Sequence, residues 1–254
     1  YFYYNYFIID FDSTFVQTET LEELANVVLK NNYNKKEILQ KIKNITNLGM
    51  EGKLSFEKSL HRRLKLIRGT RQDIETVIRI FKRKITQSIK RNKQFFKKYY
   101  DQIYIVSGGF KECIVPVVEP FSITPNHILA NTFKFNEKGQ ITGYDKNNPL
   151  SNNNGKAIAV KKLKLPGTIY VVGDGYTDYQ IKQSGAAEYF IAFTENVVRQ
   201  VIIEKADYVV QNFDELLNLK YNKHNENHSS NFGRRNCLQE SQKFVVANLP
   251  ALGT

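Results

Sequence analysis

Two aspartates that are two residues apart follow the first apolar run of the chain. Asp10 and Asp12 come directly after Ile8-Ile9. Side chains at positions i and i+2 of a strand point to the same side, so both carboxylates can meet one ligand. Adjacent carboxylates repel each other unless a cation lies between them, and Mg²⁺ is a hard ion that prefers oxygen ligands. A pair of this spacing is also common as a surface or capping feature, so it decides little alone.

Three further positions carry groups that suit phosphate or a metal. Ser107-Gly108-Gly109 follows an apolar run and offers a hydroxyl and two unobstructed N–H groups, which can form a nest for an anion. Lys156 opens a predicted helix, where the ammonium and the helix dipole both favour phosphate. Asp174 stands between two glycines and adds a carboxylate at another strand end. Each feature alone also fits a plain turn or a surface residue.

Two other phosphate-binding motifs are excluded by inspection. The Gly-Lys pair that ends at Lys156 has Leu150 where a P-loop requires Gly, and Ala157 where it requires Ser or Thr. The Gly-Asp-Gly turn around Asp174 has Asp178 where a dinucleotide fingerprint requires Gly or Ala. Neither nucleotide hydrolysis by a P-loop nor NAD binding is therefore indicated.

The elements that must position these residues alternate between strands and helices. Helical periodicity predicts four helices between the first two strands: one that starts after Thr20 as N-cap, one around 38–45, one over 56–67 and a long one over 74–89. A further helix is predicted from Gly155 to about Leu163. Apolar or alternating runs predict strands that end at Ile9 or lie over 103–106, 132–135, 140–144, 168–172, 189–193 and 208–210, with a hairpin turn at 136–139.

This alternation predicts an α/β fold: a doubly wound, Rossmann-like parallel sheet with an inserted helical cap domain. The expected division is a core of residues 1–15 and 96–219, a cap of residues 16–95, and a polar linker or disordered tail of residues 220–254. Ligands of such sheets bind beyond the carboxyl ends of the strands. Because Asp10, Ser107 and Asp174 follow three separate strands, we expect them to converge on one site.

Composition narrows the class of protein. Hydrophobic residues make up 41% of the 254 residues, enough for a core, and no apolar run approaches the roughly 20 residues of a membrane span. Cys113 and Cys237 form no disulfide framework, which favours a reducing cytoplasm. The net charge is +12, and residues 16–100 alone hold 21 Lys and Arg against 8 Asp and Glu. This excess fits solvated helix faces, steering of an anionic substrate, or contact with nucleic acid.

Taken in order, these motifs resemble those of the haloacid dehalogenase superfamily. The series is Asp-x-Asp-x-Thr after the first strand, Ser-Gly-Gly after a later one, an isolated Lys, and Gly-Asp-Gly-x-Thr-Asp. The resemblance implies a phosphatase in which Asp10 is the nucleophile and Asp12 the general acid and base. It implies Mg²⁺ held by Asp10, Asp174 and the backbone carbonyl of Asp12. The implied phosphate-binding residues are Ser107, Gly108, Gly109 and Lys156.

The helical block resembles that of the phosphoserine phosphatase family. Glu19 follows the first motif at the distance where that family has a Glu, and residues 52–63 resemble its cap helix. The resemblance implies that Glu19 binds the ammonium of serine, that Arg63 binds its carboxylate, and that Phe56 closes the pocket. Thr177 is counted with the substrate-binding residues and is expected to orient the nearby carboxylates. Asp178 is expected just outside the metal ligands.

The implied function is magnesium-dependent hydrolysis of O-phosphoserine to serine and phosphate, a step of serine biosynthesis. The match runs over about residues 5–219 and is nearest to a bacterial subgroup in which such a phosphatase precedes a phosphoglycerate dehydrogenase in one chain. One alternative is a phosphatase of the same superfamily for another small phosphomonoester. Another is a basic protein that binds nucleic acid, which leaves the three acidic strand ends unexplained. No nucleic-acid or membrane partner is therefore expected.

Overall fold

The computed structural model describes residues 4–225, with side chains for residues 5–219. The eight strands are β1 (Tyr4–Ile9), β2 (Ile103–Phe110), β3 (Ile128–Asn131), β4 (Phe133–Phe135), β5 (Ile141–Tyr144), β6 (Gly167–Gly173), β7 (Tyr189–Phe193) and β8 (Tyr208–Val210). Six of them form one sheet in the order β3-β2-β1-β6-β7-β8, and every neighbouring pair is parallel. The predicted parallel, doubly wound sheet is confirmed. β4 and β5 form the predicted antiparallel hairpin beside it.

The central strands are apolar on both sides because helices cover both faces of the sheet. In β1, Phe7 and Ile9 belong to one buried cluster, whereas Ile8 belongs to a second cluster with Val171 and Phe190. Successive side chains of the strand point to opposite faces of the sheet and therefore pack into two separate cores. This arrangement fixes β1 at the middle of the sheet, with β2 on one side and β6 on the other.

The helices of the described chain include the predicted ones in their predicted order, together with others, such as those over 93–98 and 111–118, that the sequence analysis does not predict. They are α1 (Thr20–Val28), α2 (Lys35–Met50), α3 (Phe56–Leu64), α4 (Arg71–Arg83), α5 (Gln87–Arg91), α6 (Lys93–Lys98), α7 (Lys111–Val118), α8 (Gly155–Leu163), α9 (Tyr176–Gln183), α10 (Gln200–Ile203) and α11 (Phe213–Asn225). The first six lie between β1 and β2, as the predicted insertion requires. The exact domain boundaries at 15 and 95 stay a prediction. No helix among residues 4–225 is both long enough and apolar enough to cross a bilayer.

The predicted long helix over residues 74–89 is wrong, because the chain breaks it after Arg83. Ile85 forms an antiparallel bridge with Val16, and the two neighbouring backbone bonds run from Gln17 N–H to Lys84 O at 2.9 Å and from Thr86 N–H to Phe15 O at 3.0 Å. The two segments that connect the helical insert to the sheet are thus paired with each other. That pairing needs an extended backbone, so α4 has to end before it.

Three further expectations need correction. Strand β3, at the edge of the sheet, was not predicted, because its four residues are too short to show a period. Thr20 is the first residue of α1 and not its N-cap, which is Glu19. Helix α11 continues to Asn225, past the predicted start of a linker at 220; the rest of that predicted tail, residues 226–254, lies outside the described residues.

Candidate active site

The site lies where three neighbouring strands end. Residues Ile9 of β1 and Val172 of β6 are partners in the parallel register, and the Asp10 N–H donates to Val172 O at 2.9 Å. Asp10 and Asp174 consequently leave adjacent strands at the same edge of the sheet. On the other side of β1, Ser107 belongs to the last part of β2. The structure therefore brings the three predicted strand-end residues together.

Asp10 and Asp12 belong to a tight turn and not to a strand. β1 ends at Ile9, and residues Phe11–Phe15 form a single helical turn in which Ser13 has a φ of 55°. The prediction that Asp10 and Asp12 share one side of a strand is therefore wrong. Both carboxylates reach the cavity because the turn bends the chain around it, and both are buried, at 2% and 8% exposure.

Three buried carboxylates form a cluster that suits a cation. Among the described residues, oxygen atoms of Asp10, Asp174 and Asp178 all lie within 4.8 Å of one another. Burial, together with the charge of Asp10 and other carboxylates, raises the pKa of Asp174 to about 7 and raises the pKa of Asp178 well above its usual range. A divalent cation would relieve this cost, so the donor set fits a hard metal ion.

The cluster contains the carboxylates of Asp10 and Asp174 and also that of Asp178, which was expected just outside the metal ligands. The Asp12 carboxylate is not part of it, and a role for the Asp12 backbone carbonyl as a ligand stays a prediction. Asp12 instead accepts a hydrogen bond from the Thr20 hydroxyl at 2.5 Å. Burial and the neighbouring charge of Glu19 raise the pKa of Asp12 well above its usual range, although Thr20 partly opposes this shift. A buried carboxyl that holds its proton is suited to be a general acid.

Lys156 connects the predicted nucleophile to the acidic cluster. Its Nζ lies 2.8 Å from Asp10 Oδ1 and 2.7 Å from Asp178 Oδ1, and all three side chains are buried. Burial alone lowers the pKa of Lys156, but the two carboxylates outweigh it, so the pKa is raised and the ammonium stays charged. A fixed positive charge beside Asp10 suits phosphate oxygens that arrive there.

The segment Ser107-Gly108-Gly109 lies inside β2, which continues to Phe110, and not in a turn after it. The register with β3 shifts here: Val106 pairs with Leu129 and Phe110 with Asn131, so two extra residues bulge from β2. A bulge re-aims backbone groups away from the ladder. The Gly109 N–H donates to Ser107 Oγ at 2.9 Å, and all three residues line the cavity.

The cavity at this edge of the sheet is small, with a volume of about 20 Å³. Its lining contains the sheet-edge residues described above and also residues from the helical insert. The complete lining is Asp10, Asp12, Glu19, Leu21, Met50, Phe56, Arg63, Ser107, Gly108, Gly109, Lys156 and Thr177. Every predicted phosphate-binding and substrate-binding residue is therefore in one cavity, roofed by α2 and α3.

Glu19 and Arg63 provide buried, opposite charges at the roof side of the cavity, at 6% exposure each. Glu19 Oε1 accepts from the Ser13 hydroxyl at 2.7 Å, whereas Oε2 is buried without a hydrogen-bond partner. Arg63 donates to Ser59 O and to Thr46 Oγ1, both at 3.3 Å. Burial raises the pKa of Glu19, with opposing contributions from Ser13 and Arg63, and burial lowers the pKa of Arg63.

Two residues of the site have no counterpart among the sequence predictions. Arg199, just before α10, donates from Nε to Asp174 Oδ2 at 3.1 Å and from Nη1 to Asn47 Oδ1 at 3.1 Å. It therefore connects the acidic cluster to α2 of the insert. For Thr20 the sequence predicts only a helix cap, whereas its hydroxyl donates to Asp12. Arg199 follows β7, which lies beside β6 in the sheet, and this places it near Asp174. The order of strands in the sheet cannot be read from one sequence, so Arg199 was not predictable.

Comparison with known proteins agrees with this geometry. Residues 7–181 match the model of the haloacid dehalogenase-like hydrolase family. The phosphoserine phosphatase of Drosophila melanogaster is 31% identical over 212 residues, which are 82% of this chain and 75% of that protein. A phosphoserine phosphohydrolase-like protein from Francisella tularensis has a crystal structure with a TM-score of 0.77, at 32% identity over 85% of this chain and 99% of that one.

A third relative is the solved structure of a phospho-aspartyl intermediate analogue of phosphoserine phosphatase. It superposes with a TM-score of 0.69 at 26% identity and covers 85% of this chain and 99% of that one. The chain belongs to the haloacid dehalogenase-like hydrolase family. Within the family, its similarity is to phosphoserine phosphatases, so the resemblance stated from the sequence is confirmed.

Proposed function

We propose that the protein hydrolyses O-phosphoserine to serine and phosphate, with Mg²⁺ and through an aspartyl-phosphate on Asp10. Relatives with this activity in their names support the substrate. The cluster of Asp10, Asp174 and Asp178 supports the metal. Among described residues these are the three carboxylates placed to hold it, and the bound ion would neutralise charge on the phosphoryl oxygens.

The observation that carries the choice of substrate is the unpartnered oxygen of Glu19. A buried carboxylate oxygen without a hydrogen bond is costly, so a ligand that donates to it gains affinity. Arg63 lies in the same cavity and can bind a carboxylate through two parallel N–H groups. An amino acid carries an ammonium and a carboxylate on one carbon, which would bind Glu19 and Arg63 respectively. A phosphate on its side chain would then point toward Asp10.

The chain's own residues divide the reaction into two displacements. A carboxylate oxygen of Asp10 bonds to phosphorus while the bond from phosphorus to the serine oxygen breaks, and Asp12 gives its proton to that oxygen. Asp12 then takes a proton from water as the water oxygen bonds to phosphorus and the acyl-phosphate bond breaks. Lys156, the Ser107 hydroxyl and the N–H groups of Gly108 and Gly109 stabilise the phosphoryl charge throughout.

The test is a panel of phosphomonoesters with and without Mg²⁺. We expect the highest kcat/KM for phosphoserine over phosphothreonine, sugar phosphates and nucleotides, and no turnover after chelation. Arg63→Ala should lower kcat/KM for phosphoserine by about a hundredfold while leaving p-nitrophenyl phosphate, which has no carboxylate, nearly unaffected. Arg62→Ala is the matched control, because Arg62 is exposed on the same helix. If kcat/KM for a sugar phosphate equalled that for phosphoserine, the alternative of a phosphatase for another small phosphomonoester would be favoured.

A further inference from the structure

Thr20 lies behind the cavity wall and contacts the predicted general acid. Its hydroxyl donates to Asp12 Oδ1 at 2.5 Å, and its side chain is fully buried. The residues that line the cavity include Asp12 and the neighbouring Glu19 and Leu21, but not Thr20. The hydrogen bond of this hydroxyl to the Asp12 carboxylate is therefore its direct connection to the predicted chemistry.

The surroundings show which oxygen of Asp12 remains for chemistry. A methyl group added at Gly109 would lie 3.2 Å from Thr20 Oγ1, 3.2 Å from Ser107 Oγ and 3.4 Å from Asp12 Oδ2. Thr20, Asp12 and the bulge that cradles phosphate thus meet around one point. The Thr20 hydroxyl occupies Oδ1, so the oxygen on the side of the phosphate cradle is Oδ2.

The backbone N–H of Thr20 also interacts with the Asp12 carboxylate, so both groups that support this carboxylate come from one residue. Asp12 has an extended conformation, with φ −66° and ψ 136°, inside the turn, and Ser13 after it has a positive φ. The terminal torsion of an aspartate is broad, so the plane of the carboxylate is set by its hydrogen bonds. Thr20 is well suited to set it, because it begins α1 and its backbone is fixed by that helix.

We infer that Thr20 is a positioning residue that turns the Asp12 carboxylate so that Oδ2 faces the leaving oxygen and, later, the attacking water. This inference rests on the proposed two-step reaction. In the first step the proton on Oδ2 moves to the serine oxygen as that oxygen leaves phosphorus. In the second step Oδ2 takes a proton from the water that displaces Asp10. Both steps need the same oxygen at the same place.

The experiment compares Thr20→Val with Thr20→Ser. Valine keeps the shape and removes the hydroxyl, whereas serine retains it. With phosphoserine, Thr20→Val should lower kcat by about a hundredfold, the scale of general acid–base catalysis, with KM changed less than about twofold. Thr20→Ser should stay within about threefold of the wild type. Thr18→Val is the control, since the Thr18 hydroxyl donates to the Glu23 carboxylate at 2.9 Å outside the cavity.

A second substrate separates positioning from packing. The leaving group of p-nitrophenyl phosphate needs no proton, so Thr20→Val should release the first equivalent of nitrophenolate at the wild-type rate. Its later steady state should be slow, because water activation still requires Asp12. A first turnover slowed as much as the steady state, or a Thr20→Ser variant as slow as Thr20→Val, would overturn the inference. If Thr20→Val fails to fold, Thr20→Ala is put through the same comparison.

This readout is independent of the natural substrate. If phosphoserine proves a poor substrate, the proposed function fails, yet the nitrophenolate burst still decides the role of Thr20. If no variant and no wild-type preparation forms a phosphorylated enzyme with p-nitrophenyl phosphate, then the two-step reaction itself is wrong. The two failures are therefore distinguishable.

Discussion

The ring of Phe56 lies directly against the backbone of Gly108. A methyl group added at Gly108 would come within 2.5 Å of the ring's Cζ atom, much closer than carbon atoms approach without strain. Phe56 begins α3 of the insert, and Gly108 belongs to the bulge of β2. The roof and the floor of the cavity therefore touch at this point, and only a glycine leaves room for the contact.

Gly108→Ala should consequently push the Phe56 ring out of its place. We expect kcat/KM for phosphoserine to fall by about tenfold or more, because a displaced ring no longer seals the cavity against water. The double variant Gly108→Ala/Phe56→Leu should recover part of the loss, since a smaller side chain makes room. A double-mutant cycle of kcat/KM measures this coupling. Additive losses would show that the contact does not matter for activity.

Asp10→Asn should abolish turnover. The amide is too poor a nucleophile to attack phosphorus, so kcat should fall by about four orders of magnitude or more. The wild-type enzyme, quenched in acid during turnover, should carry a phosphoryl group on Asp10 by peptide mass spectrometry, and the variant should carry none. Asp101→Asn, at an exposed residue, is the control. Full activity of Asp10→Asn would disprove the assignment of the nucleophile.

The metal-free protein should lose stability as the pH rises from about 4 to 7. The folded state raises the pKa of Asp174 from 3.8 to about 7, so between these values it binds more protons than the unfolded chain. The free energy of unfolding must then decrease as pH increases across this window, by a few kcal/mol. Mg²⁺ should oppose the loss because it binds the ionised form.

Urea unfolding at a series of pH values, with EDTA or with Mg²⁺, measures this dependence. Asp174→Asn should flatten the slope in EDTA, since its amide does not titrate. Asp214→Asn is the comparison, because Arg91 lowers the pKa of the Asp214 carboxyl and places its titration below the window. A slope that is unchanged in Asp174→Asn would contradict the prediction.

Arg199→Met should strengthen the binding of Mg²⁺. The guanidinium donates to Asp174 Oδ2 at 3.1 Å, so it competes with a cation for this carboxylate and repels it by charge. Loss of one positive charge at this distance should lower the Kd for Mg²⁺ by about tenfold. Isothermal titration calorimetry checks this, with Arg91→Met as the control for an Arg–Asp pair on the exposed surface. Weaker binding would mean that Arg199 instead holds Asp174 in position for the metal.

The ends of the strands could be predicted from the sequence, because a polar residue that directly follows an apolar run marks them locally. Asp10, Ser107 and Asp174 each follow an apolar run, and parallel strands gather such residues at one edge. The sequence was less informative about contacts that depend on three-dimensional order. The bulge at Gly108 requires knowledge of the β3 partner, and the Arg199 contact requires knowledge that β7 lies beside β6.

Two errors share a different cause. Apolar periodicity continued through Ile85, so a single helix over 74–89 fitted the pattern, yet Ile85 is buried through its bridge to Val16. Burial by strand pairing and burial by a helix face leave the same apolar residue in the sequence. Likewise Thr20 satisfied the composition of an N-cap, and only the turn at Asp12 shows where its hydroxyl is used.

The paired segments at Val16 and Ile85 have a consequence for how such enzymes diversify. Since the two crossing points are hydrogen-bonded to each other, the gap that the insert fills in the core is only about 5 Å wide. Another helical insert could join the core without displacing β1 or β2, provided that its two ends pair in the same antiparallel way. A graft of another insert between Val16 and Ile85 would also remove Thr20, whose hydroxyl donates to Asp12, so a grafted module has to supply a hydroxyl at that position.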